Sequence, residues 1–253
     1  MDPVDMGCKI AKTTKEVLPL TTNSLDKAGS TIINVINTIL TPFDMANLYA
    51  ENAKKNFAHK LQPKMDKIPK EKRCEPKLST IGPIIDSLKY NLNEEYLHDM
   101  YTNLLSKACN KDFSKNILPV YAEILKQFTP LSAKIFSNLN TSFFLMTCNI
   151  RDSNTKKIIS SLHNIYLDDD FTEVDIDIPV SVNNLERLGL LYIVNNIGSV
   201  IIDGRHLPLI NKFKKTQYYK NQTKLYGKDS LELISQPGKI SELGLNFKKI
   251  CLY

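Results

Sequence analysis

The sequence predicts a mainly α protein, with a helical N-terminal region followed by a smaller C-terminal α+β unit. Three observations predict it. Apolar residues recur at helical spacing through most of the first 140 positions. Glycine is sparse, with 9 in 253 residues, and tryptophan is absent; all-β sandwiches and glycine-rich nucleotide folds draw more heavily on turn glycine. After residue 140 the pattern changes, and from Leu190 short apolar runs read as strands around turn residues.

Taken in order, residues 1–29 hold Pro3, Gly7, Pro19 and Gly29 among many threonines and serines, and read as a loose tail. Ile32, Ile33, Ile36, Ile39 and Leu40 space a first helix. Thr41 and Pro42 then supply a cap and a first-turn proline for a second helix, striped by Phe43, Ala46, Ala50, Ala53, Phe57 and Leu61. Residues 62–77 carry Pro63, Pro69 and Pro76 among six basic residues, and read as an exposed linker.

A compact helical unit follows. Ile81, Ile84, Ile85 and Leu88 form one apolar face, and Asn93 is placed to cap a helix through Leu97, Met100, Tyr101, Leu104, Leu105 and Ala108. Ile117, Val120, Ile124, Leu125 and Phe128 mark another, and Thr129-Pro130 opens one more. Short connections imply antiparallel neighbours.

After residue 140, Ile158, Ile159, Leu162 and Ile165 have helical spacing. A helix near 181–188 ends at Gly189, a natural residue for the left-handed turn that closes a helix. Leu190–Val194 and Ser199–Ile202 read as strands around the turn 195–198, Leu231–Ile234 as another, and Ser241 as the cap of a last helix. The expected divisions are a tail and first helix at 1–40, a helical domain at 41–140, and a C-terminal domain at 141–253.

Two C-terminal phrases resemble known closures. Asn184-Leu185-Glu186-Arg187-Leu188-Gly189-Leu190-Leu191 resembles the end of a recognition helix entering a wing, and Ile240-Ser241-Glu242-Leu243-Gly244-Leu245-Asn246-Phe247 resembles a winged-helix closing motif. The C-terminal unit is therefore expected to be winged-helix-like. With Glu75-Pro76, Ile81-Gly82-Pro83, Leu104–Ala108 and Pro119–Pro130, these phrases resemble the bacterial abortive infection alpha family over roughly residues 40–253. The resemblance implies a role in limiting phage growth and carries over no catalytic residues.

Chemistry-bearing motifs are few. Cys8, Cys74, Cys109, Cys148 and Cys251 are scattered, with no CxxC pair, and read as free thiols. His59, His98, His163 and His206 have no metal-ligand spacing. Phosphate-loop, dinucleotide and nucleophile-elbow motifs are absent from the sequence. The acidic run from Asp168 to Asp177 puts Glu173, Asp175 and Asp177 on one face of a strand, solvated or metal-binding. It lacks the glycine of an EF-hand loop. Met1–Lys15 is polar, and Ile32–Leu40 is short beside the roughly 20 apolar residues of a membrane span. The chain is accordingly expected to be soluble and cytoplasmic.

The net charge of +6 is concentrated. Arg205, Lys212, Lys214, Lys215, Lys220, Lys224 and Lys228 fall in one stretch with no acid between, interleaved with Tyr218, Tyr219 and Tyr226. Lysines neutralise phosphates and tyrosines stack on unpaired bases; the plainer reading is a flexible surface loop. Asn183, Asn184 and Arg187 on the preceding helix are residue types that read base edges. The leading expectation is a non-enzymatic defence protein that binds a protein partner of unknown identity, with no cofactor. A nucleic-acid-binding winged helix and a metal-dependent nuclease built on the acidic run are the alternatives.

Overall fold

The computed structural model describes residues 48–91, 94–194 and 207–253. The described residues form two compact units, one of residues up to Phe128 together with Lys249–Tyr253, the other within Thr129–Lys248. Among the described residues there are nine α-helices and one four-stranded antiparallel sheet. The sheet is larger than the few strands the sequence predicts, so the chain is mixed rather than simply mainly α.

The first unit is helical: α1 (Leu48–Asp66), α2 (Leu78–Asn91), α3 (Glu95–Ala108) and α4 (Val120–Lys126). Phe57, Leu61 and Met65 recur at four-residue spacing on α1 and are buried where α1 packs on α3. The Phe57 ring meets His98 edge-on, with centroids 5.5 Å apart. Buried Tyr101 accepts a hydrogen bond from the Asn91 amide at 3.0 Å, and burial pushes its phenol up to about 12.

The linker expected from residue 62 starts later. α1 continues through Pro63 to Asp66, and Met65 and Ile68 are buried. The basic residues there are fasteners: Lys64 donates to the Thr102 hydroxyl at 2.8 Å and Arg73 to the Ile68 carbonyl at 2.8 Å. Asn93, and the tail and first helix expected at 1–40, lie outside the described residues.

The second unit runs α5 (Pro130–Asn138), β1 (Ser142–Arg151), β2 (Ile158–Ile165), α6 (Asp177–Arg187), β3 (Leu191–Ile193), α7 (Leu207–Lys215), α8 (Gln217–Tyr226), β4 (Leu231–Ile240) and α9 (Glu242–Cys251). α9 ends in residues counted with the first unit. Thr129 caps α5 as expected, accepting from the Ser132 N–H at 3.1 Å. Gly189 adopts φ +73°, the left-handed geometry that favours glycine at a helix end. The sheet order is β2-β1-β4-β3, with Asn149 opposite Glu232 and Leu191 opposite Ile240.

Three expectations are corrected here. Ile158–Ile165 is strand β2, not a helix: Ile158 and Ile159 are 50% and 57% exposed, while Ile165 is buried. A helix would bury both isoleucines on its apolar stripe. The chain instead turns at Asp152, whose Oδ1 accepts from the Asn154 and Thr155 N–H groups, and folds back on β1. The acids of 168–177 form a loop entering α6, not a strand face; Asp175 accepts from the Asp177 N–H at 2.9 Å. The basic stretch, in place of a flexible loop, is two helices from residue 207 onward. The turn 195–198, the strand 199–202 and Arg205 lie outside the described residues.

Candidate functional site

The α7–α8 pair carries most of the basic stretch, and its own residues explain its shape. Leu209 and Phe213 lie one turn apart on α7 and are buried. They join Met146, Cys148, Ile165 and Leu167 in a cluster between the helices and one face of the sheet. Thr216 then makes the corner. It is fully buried, its hydroxyl donates to the Phe213 carbonyl at 2.7 Å, and the same oxygen accepts from the Tyr219 N–H at 3.2 Å. One side chain thus closes α7 and caps α8. The Glu173 carboxylate accepts from the first N–H of α8, at Gln217, across 2.8 Å, a favourable place for negative charge.

This anchoring turns the lysines outward. Lys214, Lys215, Lys220 and Lys224 are exposed, the last two one turn apart on α8. Lys212 is half-exposed and pairs with Asp169 at 2.7 Å. The expectation that the tyrosines stack on bases needs correcting for two of them. Tyr218 and Tyr219 pack on Phe213, with ring centroids 6.1 and 5.8 Å away, and only Tyr226 of the three is exposed. α8 is amphipathic, so Tyr218 and Tyr219 turn toward Phe213 where its lysines turn out. Replacing Phe213 by alanine is expected to cost about 3–5 kcal/mol in urea unfolding and to expose 207–226 to proteolysis.

Asn183, Asn184 and Arg187 sit elsewhere, on α6, which packs on α5, β2 and β3. Asn183 accepts from the Asn164 amide, and Arg187 donates to the Asn184 amide oxygen at 2.8 Å. The basic residues are therefore gathered on α7–α8, and the three polar residues of α6 engage neighbours of their own.

The acidic run has structural partners. Asp168 accepts from the Tyr166 hydroxyl at 2.7 Å, the Asn138 amide at 3.0 Å, and the Asp170 and Phe171 N–H groups. Burial alone would raise this carboxyl; the four hydrogen bonds together hold it below its ordinary value. Asp169 and Glu173 hold α7 and α8. Among the described residues no group of three or more His, Cys, Asp or Glu is arranged to hold a metal ion.

The sheet carries an arrangement that local sequence reading missed. Glu232 accepts from Asn149 at 2.8 Å and from Arg151 at 2.7 Å on one oxygen. Ser161 donates to Asn149 at 2.6 Å, and Thr147 donates to Gln236 at 2.8 Å and lies 3.3 Å from His163 Nδ1. The Asn149 amide, against some burial, and then Arg151 hold the Glu232 carboxyl below its ordinary value. Chemically this is a fixed row of donors and acceptors. The Ser161 hydroxyl donates to the Asn149 amide oxygen, so the row orients these polar groups along one face of the sheet.

No helix among the described residues is long and apolar enough to cross a membrane. Residues 49–251 match the family model described as abortive infection alpha. No curated protein and no solved structure matches the chain.

Proposed function

The chain belongs to the abortive infection alpha family, and from that premise we propose that it limits phage growth by binding a partner, with the outward face of α7–α8 as the contact surface. Family membership over residues 49–251 carries the defence reading. The contact reading is supported by the exposed lysines 214, 215, 220 and 224, anchored from behind by Phe213 and Thr216. A rigid helical pair presents charge at lower entropic cost than a flexible loop would.

The test is phage yield in cells expressing the protein. Yield is expected to fall with the wild type and to recover when Lys214, Lys215, Lys220 and Lys224 are all changed to Glu. These exposed positions should shift unfolding free energy by no more than about 1 kcal/mol in total. Lys212 is left intact because Asp169 needs it. Equal yields with and without the wild-type protein, across a broad phage panel, would sink the defence reading.

Nucleic acid is the second reading, and the same lysines favour it. Salt-dependent affinity is then expected, with a log–log slope of roughly −0.9 per phosphate neutralised on duplex DNA, flattening in the four-lysine variant. The winged-helix comparison belongs to this reading. Its support is the order α6, β3, β4, α9 with β3 antiparallel to β4; the β1–β2 hairpin beyond β4 is an addition to that plan. Absence of binding at low salt would leave a protein partner as the occupant.

A further inference from the structure

Just past the C-terminal end of α3, residues 109–112 run antiparallel to residues 71–74. Arg73 bridges Asn110. The Lys111 N–H donates to the Lys72 carbonyl at 2.9 Å, and the Cys74 N–H donates to the Cys109 carbonyl at 2.9 Å. Side chains lock the same register. Lys72 pairs with Asp112 at 2.7 Å, and the Lys111 ammonium donates to the Glu71 carbonyl at 2.7 Å. One residue along from the Arg73–Asn110 bridge, Cys74 stands opposite Cys109.

The two thiols differ in access. Among the described residues Cys74 is the only cysteine that is not buried, whereas Cys109 is 0% exposed. The Cys74 thiol is directed at the Ala108 carbonyl oxygen, 3.8 Å away, on the peptide that leads into Cys109. Opposed residues of a hydrogen-bonded antiparallel pair have Cα atoms about 5.5 Å apart and side chains on one face. Disulfides favour a Cα separation of about 5.5–6 Å.

We propose that Cys74 and Cys109 form a reversible disulfide when the protein meets a peroxide, clasping residues 70–77 to the end of α3. The proposal is independent of the basic-surface reading above. The Cys74 sulfur attacks one oxygen of hydrogen peroxide. The O–O bond breaks, water leaves, and Cys74 becomes a sulfenic acid. The Cys109 sulfur then attacks the Cys74 sulfur. The S–O bond breaks, and the hydroxyl leaves as a second water with the Cys109 proton. Two thiols and one peroxide thus give one disulfide and two waters. Access sets the order: the half-buried thiol meets the oxidant, and the buried one resolves it. Thiol reductants reverse the link by exchange. The closed loop contains the whole of α2 and α3, so oxidation is expected to stabilise the chain.

The experiment uses the full chain with Cys8, which lies outside the described residues, changed to Ser. One equivalent of hydrogen peroxide in native buffer is expected to lower the intact mass by about 2 Da, the two hydrogens lost. A non-reducing digest should then yield a peptide pair joining Cys74 to Cys109. Cys148 and Cys251 should stay protected from maleimide, the mark of a folded chain. The oxidised chain should melt about 5–10 °C higher, and dithiothreitol should restore the starting profile. Cys74→Ser should abolish the mass loss. Cys109→Ala should leave Cys74 as a sulfenic acid that dimedone labels. Full dimedone labelling of Cys74 with Cys109 still present overturns the proposal, and so does a link that forms only in urea. A dimer joined through Cys74 overturns it as well.

Discussion

Changing Gly244 to alanine is expected to destabilise the second unit by about 3 kcal/mol or more. In an ordinary helix the same change stabilises by nearly 1 kcal/mol, so the sign itself is diagnostic. Gly244 lies in the first turn of α9. A Cβ there would run into the Leu190 carbonyl oxygen and the Ile240 side chain. Neither neighbour is free to withdraw. The Leu190 carbonyl accepts from the Ser241 N–H at 3.0 Å, and Leu191 pairs with Ile240 across β3 and β4. Ser241 tightens the same point, its hydroxyl donating to the Gly189 carbonyl at 2.5 Å and accepting from the Gly244 N–H at 2.9 Å. Relief would break the cap or the strand pair. Ser241→Ala, which removes only the cap, is expected to cost about 1 kcal/mol by the same urea titration. A Gly244→Ala variant as stable as wild type would mean the two backbones do not approach this closely.

That corner also marks what was legible in the sequence. Thr129-Pro130, Gly189 and Ser241 are local signals, because a cap or a left-handed residue is decided by its immediate neighbours, and all three mark helix ends in the structure. The helix Glu95–Ala108 was legible for a different reason: Leu97, Met100, Tyr101, Leu104, Leu105 and Ala108 recur at helical spacing and are all buried. β2 shows how such a pattern misleads. Ile158, Ile159, Leu162 and Ile165 fit a helical stripe, yet the deciding signal was the Asp152–Thr155 turn chemistry between two apolar runs. β1, from Ser142 to Arg151, is buried along most of its length and lacks the alternation that announces a half-exposed strand.

The candidate surface was half legible. A run of lysines without acids is visible at once, but its partners are not. Asp169 and Glu173 read as a separate acidic feature, and only the fold brings them to Lys212 and to the start of α8. The row around Glu232 was beyond local reading altogether. Asn149 and Arg151 meet Glu232 from 83 and 81 residues away, through strand pairing alone.

Lys248 gives the second large effect, through pH. Its residue is 5% exposed, and its ammonium donates to the Leu139 carbonyl at 2.5 Å and the Ser137 carbonyl at 3.2 Å, at the end of α5. That end of a helix favours a cation, and the Phe136 ring lies 5.2 Å from the nitrogen. Burial nevertheless outweighs these contacts and lowers the amine from 10.5 to about 8. Below pH 8 both folded and unfolded chains carry the proton, and the cost of burying the charge is fully present. Between 8 and 10.5 the unfolded chain binds more protons than the folded one, so this residue's contribution to stability rises with pH. The gain is about 1.4 kcal/mol by pH 9 and about 3 kcal/mol in all. Buried thiols and phenols act in the opposite sense at higher pH. Burial pushes Cys148 up to about 11 and Tyr101 and Tyr121 up to about 12, so the unfolded chain loses those protons first. The raw stability profile therefore mixes both signs. Subtracting the profile of Lys248→Met cancels the shared thiol and phenol part. The difference, wild type minus variant, is expected to climb between pH 8 and 10 in urea unfolding. A flat difference would mean that the amine titrates at its ordinary value, and that water reaches it in the folded chain.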